Sequence, residues 1–415
     1  MAQLTDDCFA FGGPLLSIDH VERLIAERVT PVTETETVAL HAARGRVLAL
    51  DVVAPIDLPP FDNSAVDGYA VRHADLGAAE TKLTIVDRLQ AGHAGARTIV
   101  RGEAIRIFTG AAMPAGVDTV FMQEDVRTED GAVIVPPGLK HGANRRLAGE
   151  DVARGSVALV TGRRLQPQDL SLAAALGLRT LPVRRRVRVA IFSTGDEIVE
   201  PGAPLPAAAL YDANRELLRG LLARFDAEVS DLGILRDDPE KLSARLGEAA
   251  AAHDLVLTSG GVSTGEADYV KDAIGAAGKL VFWRVAIKPG RPVAMAVLRG
   301  AAFVGLPGNP VAVFVTFARV VRPLLLRLAG ASPEPLIALP VKSGFAYKKK
   351  KGRREYVRVA LRRRDDGSYE AHKHPQDGAG VISSLTATDG LAELDDDVTE
   401  IAVGQMIGFL PYALL

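Results

Sequence analysis

A loop rich in glycine and hydroxyl groups follows a short apolar segment near the middle of the chain. Residues 255–265 are LVLTSGGVSTG, so the two adjacent glycines are Gly260 and Gly261. Backbone without side chains lets amide N–H groups close around an anion, and a following helix N-terminus adds partial positive charge. The loop lacks the lysine of a Walker A motif and the spacing of a dinucleotide-binding motif. We predict a phosphate-binding loop, with a tight turn that needs glycine as the alternative.

Acidic residues follow three predicted strands. Glu197, Asp237 and Asp268 each stand shortly after an apolar segment. In open α/β sheets the carboxyl ends of the strands share one edge, so these carboxylates should converge there. Carboxylate oxygens are ligands that Mg²⁺ prefers, and Mg²⁺ often bridges phosphate oxygens. We predict a metal and phosphate site, although each acid taken alone is equally compatible with a solvated turn or a helix cap.

A short basic segment follows, and it has prolines on both sides of a glycine. Residues 288–292 are KPGRP, with Arg284 four residues earlier, and residues 306–310 form a second proline-rich loop, LPGNP. Proline restricts the backbone, so the cations of Lys288 and Arg291 are held in defined directions. Such a turn suits a small oxyanion or a phosphate. The alternative is a surface turn before a β-hairpin.

Composition and charge exclude several classes of function. The 415 residues include 49 Lys and Arg against 51 Asp and Glu, a formal net charge of -2, which gives no overall attraction to nucleic acid or to anionic membranes. A single cysteine excludes a disulfide framework and fits a reducing compartment. Neither a leader-like N-terminus nor an apolar run of membrane-spanning length is evident. We expect a cytoplasmic protein with no nucleic-acid or membrane partner.

The elements that must position these residues follow from periodicity. Residues 17–28 have the apolar spacing of an amphipathic helix, and residues 68–135 are rich in short alternating strands. From residue 187 apolar strands alternate with helical segments, which predicts a doubly wound, mostly parallel α/β domain. The fold class is therefore α/β plus β, in several domains. The predicted domains are an α/β domain (16–34 and 186–334), an elongated linker domain (35–54 and 152–185), a β-rich module (55–151) and a small C-terminal β-barrel-like domain (335–415).

Eight segments together resemble the molybdopterin molybdenumtransferase family, whose eukaryotic relatives include the large domain of gephyrin. They occur in one order between residues 59 and 310, which makes the resemblance specific; the part from residue 333 matches more loosely. The matching segments are 59–71 (PPFDNSAVDGYAV), 108–111, 145–151, 193–197, 236–239, 258–269, 286–292 and 305–310.

This resemblance implies an enzyme with defined substrates and a defined assembly. The family takes adenylylated molybdopterin and molybdate, uses Mg²⁺ or a similar divalent ion, and releases AMP to give molybdenum cofactor. Molybdopterin adenylyltransferase would be the upstream partner. The subunit would form a homodimer, with each active site between the α/β domain of one subunit and the β-rich module of the other.

The resemblance and the motifs together define the candidate site residues. The expected catalytic residues are Asp67, Thr109, Asp151, Glu197, Asp237 and Asp268, of which Glu197, Asp237 and Asp268 would be the metal ligands. The expected substrate-binding residues are Ser259, Gly260, Gly261, Ser263, Gly265, Arg284, Lys288, Pro289, Arg291, Pro307, Pro310 and Arg358.

Three positions depart from the family pattern. Relatives often carry lysine at the position of Arg284, serine at that of Ala312, and Gln-Gly-Ser where this chain has residues 377–379, DGA. Two hydroxyl groups that could donate to an oxyanion would then be missing. The preference between molybdate and tungstate therefore stays open.

Two other functions compete with this interpretation. A molybdopterin adenylyltransferase shares the Gly-Gly loop in a similar α/β domain, but it has no place for residues 59–71, for the β-rich module or for the tail after residue 333. A non-catalytic scaffold would not need the acidic turns, yet every acid of the expected cleft is present. An assay for Mg²⁺-dependent AMP release distinguishes all three.

Overall fold

The computed structural model describes residues 15–93, 95, 97–236, 239–262, 274 and 278–415, without the side chains of residues 239, 240 and 283. The predicted first helix is present as Ile18–Arg28. Ser17 caps it, because its side chain accepts a hydrogen bond from the amide of His20 at 3.3 Å. Its apolar residues at helical spacing pack into the core of the α/β domain.

A six-stranded sheet forms the centre of the α/β domain. Its strand order is Glu228–Leu235, Arg188–Thr194, Leu255–Ser259, Ala301–Leu306, Pro292–Leu298 and Gly278–Arg284. The first four strands are parallel, and the last two continue the sheet in antiparallel pairing. The predicted hairpin before residue 306 is therefore present.

Helices cover both faces of this sheet. Pro239–Ala252 packs on one face, against Ala190, Phe192 and Val256. The other face carries Ile18–Arg28, Asn214–Ala223, Pro310–Thr316 and Arg322–Leu328, the last two joined by a π-helical turn at Phe317–Val321. Successive residues of each buried strand point to opposite faces, so two layers of helices are needed to cover it. The doubly wound, mostly parallel fold is thus confirmed.

The β-rich module is a second six-stranded sheet. Its strand order is Thr119–Met122, Gly68–Val71, Glu103–Ile107, Thr81–Leu89, Ala132–Val135 and Arg127–Glu129, with one parallel pair between Thr81–Leu89 and Glu103–Ile107. Apolar clusters lie on both of its faces. A short antiparallel pair, Asn63–Ser64 with Arg145–Arg146, holds the PPFDNS segment against the module.

The linker consists of two antiparallel strand pairs and a helix. Thr35–Ala39 pairs with Thr180–Arg184, and Val52–Val53 pairs with Val157–Leu159. The helix Pro167–Ala175 begins with a capping box between Gln166 and Asp169. The strand pairs and the helix share a small core.

The C-terminal domain is a closed β-barrel. Its strands are Leu339–Ser343, Arg354–Arg363, Tyr369–Lys373, Gly390–Leu394 and Met406–Pro411. The long strand Arg354–Arg363 pairs with Tyr369–Lys373 and also with Gly390–Leu394, which closes the sheet on itself. Remaining elements are the pairs Ile198–Val199 with Leu210–Tyr211 and Tyr347–Lys348 with Glu400–Ile401, the helix Ser383–Thr386, and 3₁₀ turns at Leu40–Ala42, His73–Asp75, Gln123–Asp125 and Tyr412–Leu414.

Among the described residues, every helix is too short or too polar to traverse a lipid bilayer.

Candidate active site

Four strands of the α/β domain end at one edge of its sheet. In the parallel registers Ser193 lies beside Ser259, Ser259 beside Leu306, and Thr194 beside Leu235. Side by side, the loops after these strands begin at residues 195, 236, 260 and 307. Ligands of open α/β sheets bind at this edge.

One of the predicted acidic residues is described at this edge. Glu197 is exposed, and the side chain of Arg236 donates to the backbone carbonyl of Asp196 at 2.9 Å, which ties the first loop to the start of the second. A Cβ atom on Gly195 would lie 2.6 Å from Oε2 of Glu197, so the glycine leaves room for this carboxylate. Asp237, Asp268, Ser263 and Gly265 lie outside the described residues.

The glycines of the loop have backbone conformations that side chains disfavour. Gly260 has φ 91° and Gly261 has φ 68°, and a Cβ on Gly260 would lie 2.7 Å from the carbonyl oxygen of Thr194. The Gly260 amide donates to the carbonyl of Leu306 at 3.0 Å. This amide is therefore used to join two loops, and anion binding would fall to the amides that follow it.

Asn214 connects two loops of this edge, and sequence analysis missed it. Its Nδ2 donates to Oγ of Ser259 and to the carbonyl of Gly308, both at 2.7 Å. Its Oδ1 is buried with no hydrogen-bond partner in the described part of the chain, as are Oγ of Ser193 and Oγ1 of Thr194. Buried polar atoms are rarely left unpaired, so three of them at one edge fit a polar ligand. The only sequence signal was the position of Asn214 at a helix start.

A cavity of about 340 Å³ lies between residues 288–292, which we call the basic turn, and the C-terminal barrel. Its wall contains five predicted residues: Lys288, Pro289, Arg291, Pro307 and Arg358. It also contains Tyr347, Arg353 and Glu355 of the barrel, which sequence analysis did not select. Two further predicted residues do not line this cavity. Arg284 pairs with Pro292 in the antiparallel hairpin of the sheet, and Pro310 begins a helix.

The basic turn is held on two sides. Ile287–Lys288 pairs with Arg354 and Glu355 as an added parallel strand of the barrel. The Lys288–Pro289 peptide is cis, and Gly290 has φ 108°. A Cβ on Gly290 would lie 2.5 Å from Cγ2 of Thr316, so the turn packs directly on the helix Pro310–Thr316. The cations are therefore fixed by tertiary contacts as well as by proline.

Lys288, which is partly exposed, forms a hydrogen-bond network with the barrel around the buried Glu355. Its Nζ donates to Oη of Tyr347 at 3.0 Å and to Oε2 of Glu355 at 3.1 Å, while Nε of Arg353 donates to Oε1 of Glu355 at 2.8 Å. Burial opposes the charge of both Lys288 and Glu355, but these hydrogen bonds outweigh it. The pKa of Lys288 is therefore raised and the pKa of Glu355 is lowered. Both side chains stay charged at neutral pH.

Arg358 shapes the opposite wall. It is 5% exposed, and it donates to Oγ of Ser384 at 3.0 Å and to the carbonyl of Gln376 at 2.7 Å. Burial lowers its pKa, yet it remains far above neutrality as an arginine. These bonds hold the loop that contains Ala379. Ala379 and Ala312 both line the cavity, so the two departures from the family pattern lie at the same wall.

Asp67 and Thr109 contact each other on the β-rich module. Oδ1 of Asp67 accepts hydrogen bonds from the amide and from Oγ1 of Thr109, both at 2.8 Å. These bonds lower the pKa of Asp67. Asp151 is exposed, and its amide donates to the carbonyl of Leu58 at 3.0 Å. Asp62, which was not selected, anchors this region through Arg145 and the amide of Ala148.

Comparisons with known proteins cover nearly the whole chain. Residues 16–177 match the family model "MoeA N-terminal region (domain I and II)", residues 190–327 match "Probable molybdopterin binding domain", and residues 340–412 match "MoeA C-terminal region (domain IV)". Along the chain, the three matches cover first the β-rich module with the linker, then the α/β domain, and last the C-terminal barrel.

Relatives of known sequence and structure agree with these matches. A molybdopterin molybdenumtransferase of Haemophilus influenzae is 37% identical over 403 residues, covering 96% of this chain and 99% of its own length. Molybdopterin molybdenumtransferase 2 of Mycobacterium tuberculosis is 35% identical over 94% of this chain and 98% of its own. The crystal structure of the molybdopterin biosynthesis MoeA protein from Pyrococcus horikoshii OT3 superposes with a TM-score of 0.82 at 30% identity, over 96% of this chain and 100% of that one. This chain therefore belongs to the molybdopterin molybdenumtransferase family, transferases of molybdenum cofactor biosynthesis.

Proposed function

We propose that this protein inserts molybdate into adenylylated molybdopterin and releases AMP, giving molybdenum cofactor. The observation that supports it most is the cavity between the basic turn and the barrel. Lys288, Arg291 and Arg358 bring three cations to the lining of this cavity, and the buried carboxylate there, Glu355, is already bonded to Lys288 and Arg353. A tetrahedral oxyanion suits such a site.

The chemistry follows from positioning more than from a protein nucleophile. The Gly260–Gly261 loop holds the phosphate end of the substrate, and the basic turn brings molybdate close to the dithiolene sulfurs. A molybdate oxygen or water attacks phosphorus, the bond between the two phosphates breaks, and AMP leaves. Asp67, kept ionised by Thr109, and Asp151 would act from the β-rich module.

Mg²⁺ is part of the proposal, with Glu197, Asp237 and Asp268 as its ligands. Within the described residues no group of three His, Cys, Asp or Glu side chains is close enough to hold a metal ion. Glu197 is exposed at the correct edge of the sheet and offers the oxygen donors that Mg²⁺ takes. When bound there, Mg²⁺ would neutralise charge on the phosphate oxygens.

We further propose a homodimer in which Asp67 and Thr109 serve the α/β domain of the partner. Apolar side chains on the linker are half exposed: Val53 and Val157 are cross-strand neighbours at 52% and 49%, and Leu50 and Val160 lie beside them in sequence at 62% and 55%. Exposed apolar side chains grouped in this way favour a protein contact, and we call these four residues the apolar patch. A second copy would cover it.

A molybdopterin adenylyltransferase is the proposed upstream partner, because an adenylylated pterin must be made before it can be consumed. The deciding experiment supplies purified protein with adenylylated molybdopterin, molybdate and Mg²⁺ and measures AMP. We expect AMP release that requires molybdate and Mg²⁺. Synthesis of the adenylylated pterin from ATP would indicate the adenylyltransferase instead, and no turnover with either substrate would indicate a scaffold.

A further inference from the structure

One face of the β-rich module changes character along its strands. At one end this face is a buried apolar cluster that includes Val71, Leu83, Ala104 and Phe121. Toward the end where Asp67 and Thr109 lie, the same face carries two arginines and two aromatic residues: Arg88, Arg106, Tyr69 and Phe108. None of these four is fully buried. We call these four residues the stacking surface.

The two arginines are neighbours across adjacent strands. A register shift between Ile85 and Asp87 places Arg88 directly beside Arg106, and Tyr69 pairs with Arg106 from the other side. Like charges directly opposite each other on a sheet destabilise it. The fold therefore keeps this pair in spite of its electrostatic repulsion.

Within the described part of the chain neither arginine forms an ion pair, although Asp67 attracts Arg106 electrostatically and Asp87 lies at the same surface. Arg106 donates to the carbonyl of Gly68 at 3.3 Å and to the side-chain amide oxygen of Gln123, which are both neutral. Asp87 accepts a bond from the backbone amide of Arg88 at 2.7 Å, and no ion pair with its guanidinium is formed. Both guanidinium groups thus keep N–H donors that no carboxylate uses, and these suit a bound anion.

The two guanidinium groups lie over the two aromatic rings. The guanidinium carbon of Arg88 lies 4.7 Å from the ring centre of Phe108, and that of Arg106 lies 4.9 Å from Phe108 and 5.0 Å from Tyr69. Together with Ile85, Val86 and Asp87 they line an open basin of about 620 Å³. Guanidinium and aromatic planes are the surfaces on which flat heterocyclic rings stack.

This surface adjoins the proposed catalytic pair. Phe108 precedes Thr109 in the chain, and Tyr69 follows Asp67 by two residues. A molecule that stacks on Phe108 would therefore lie beside the Asp67–Thr109 hydrogen bonds. Its phosphate would meet the guanidinium groups of Arg88 and Arg106.

We propose that the stacking surface binds a flat heteroaromatic ring that carries a phosphate group, and so positions one end of the substrate next to Asp67 and Thr109. The proposal rests on the function proposed above, whose substrate has two such rings, an adenine and a pterin. Arg88 and Phe108 would contact the ring, and Arg106 would hold Phe108 and Tyr69 in place.

Binding of ring-containing and ring-free phosphates tests the proposal. Full-length protein is titrated with AMP by calorimetry, with a pterin monophosphate by its own fluorescence, and with ribose 5-phosphate as the compound without a ring. Arg88→Lys keeps the charge and removes the planar group. We expect it to weaken binding of AMP or of the pterin about tenfold and to leave ribose 5-phosphate unchanged.

Arg101→Lys is the matched control, because Arg101 is exposed on the same module in the turn before Glu103–Ile107. It should bind all three compounds as the unmodified protein does. A loss confined to AMP assigns the surface to adenine, and a loss confined to the pterin assigns it to the pterin. Unchanged affinity of Arg88→Lys for both rings would overturn the proposal.

Stability separates a binding role from a structural one. Arg88→Gln removes one member of the repelling pair, so its urea midpoint should equal or exceed that of the unmodified protein while ring binding is weakened. A lowered midpoint with unchanged ring binding would show that Arg88 only supports the sheet. These measurements need neither molybdate nor turnover, so a protein that binds the ring but releases no AMP would reject the proposed function and keep the binding surface.

Discussion

Individual side chains at the proposed site have altered acid–base properties that specific hydrogen bonds explain. Asp67 is only partly buried, and two hydrogen bonds from Thr109 outweigh the effect of burial and lower its pKa. In the proposed reaction the hydroxyl of Thr109 would thus act through the carboxylate beside it. This role can be tested separately from the stability of the fold.

Thr109→Val should shift the pH dependence of AMP release. The variant keeps the amide bond to Asp67 and loses the hydroxyl bond, so the pKa of Asp67 rises toward its ordinary value. Since Asp67 is proposed to act ionised, the acid limb of kcat/KM should move to higher pH. Steady-state rates between acid and neutral pH measure the shift. Thr109→Ser keeps the hydroxyl and should retain the original profile; an unshifted limb in Thr109→Val would contradict the role.

Ala312 and Ala379, which line the cavity beside the basic turn, give a second prediction for single residues. Ala312→Ser and Ala379→Ser each add a hydroxyl to the cavity wall, where it can donate to a bound oxyanion. We expect the KM for molybdate to fall severalfold in each, as one added hydrogen bond of about 1 kcal/mol implies. Ala207→Ser, on an exposed loop, is the control and should leave KM unchanged. A KM that does not fall in either variant would place oxyanion binding elsewhere.

The basic turn shows how an element depends on its neighbours. It begins as a strand of the barrel, and it packs on the helix Pro310–Thr316 through Gly290. A side chain at Gly290 meets two obstacles, the left-handed backbone and the methyl group of Thr316. The turn is thus rigid because three elements meet there.

Gly290→Ala should lower the free energy of unfolding by about 2–4 kcal/mol, because backbone strain and a steric overlap with Thr316 add. Urea unfolding measures it. Gly308→Ala is the control, since a Cβ at Gly308 meets no atom within 4 Å and its φ is not positive. It should change stability by less than about 1 kcal/mol. Equal effects of the two substitutions would show that the Gly290 contact is unimportant.

For the whole molecule, the central question is which domains meet in the active site. The hydrogen bonds described for residues 59–150 run within the module or to the linker, so Asp67 and Thr109 have no described bond to the α/β domain of their own subunit. The proposed dimer supplies that contact from a second copy.

Mixed dimers test this arrangement. Asp67→Asn should inactivate the part of the active site that the β-rich module provides, and Lys288→Met should inactivate the part that the α/β domain provides. Each variant homodimer should therefore be inactive. In a mixed dimer one of the two sites has both intact parts if the site is shared between subunits. Equal mixing should therefore restore about a quarter of the original AMP release. If both parts came from one subunit, mixing would restore nothing.

Disrupting the apolar patch gives an independent measurement of the assembly. Val157→Asp places a charge in the half-exposed pair that Val157 forms with Val53. Sedimentation should show a shift from dimer toward monomer, with loss of AMP release. Val403→Asp is the control, because Val403 is 66% exposed on the barrel, away from the linker. A dimer that withstands Val157→Asp would locate the interface elsewhere.

Local sequence was enough for several features of this protein. Periodicity indicated the first helix, the strands of the α/β sheet and the β-rich module, because a buried face repeats every 3.6 or 2 residues along the chain. Gly260 and Gly261 were recognisable, since the tight turn given as the alternative there needs left-handed backbone, which selects glycine. The helix Pro167–Ala175 was expected only as part of a linker layer, because nine residues rich in alanine show little amphipathic pattern.

Other features depend on contacts between residues far apart in the chain. Asn214 reaches Ser259 and Gly308, and Lys288 meets Tyr347 and Glu355, across separations that no local pattern encodes. Arg88 and Arg106 become neighbours only through a register shift in the sheet. Secondary structure follows from short-range preferences along the chain, whereas a binding site is assembled by packing, which brings distant side chains within hydrogen-bond distance.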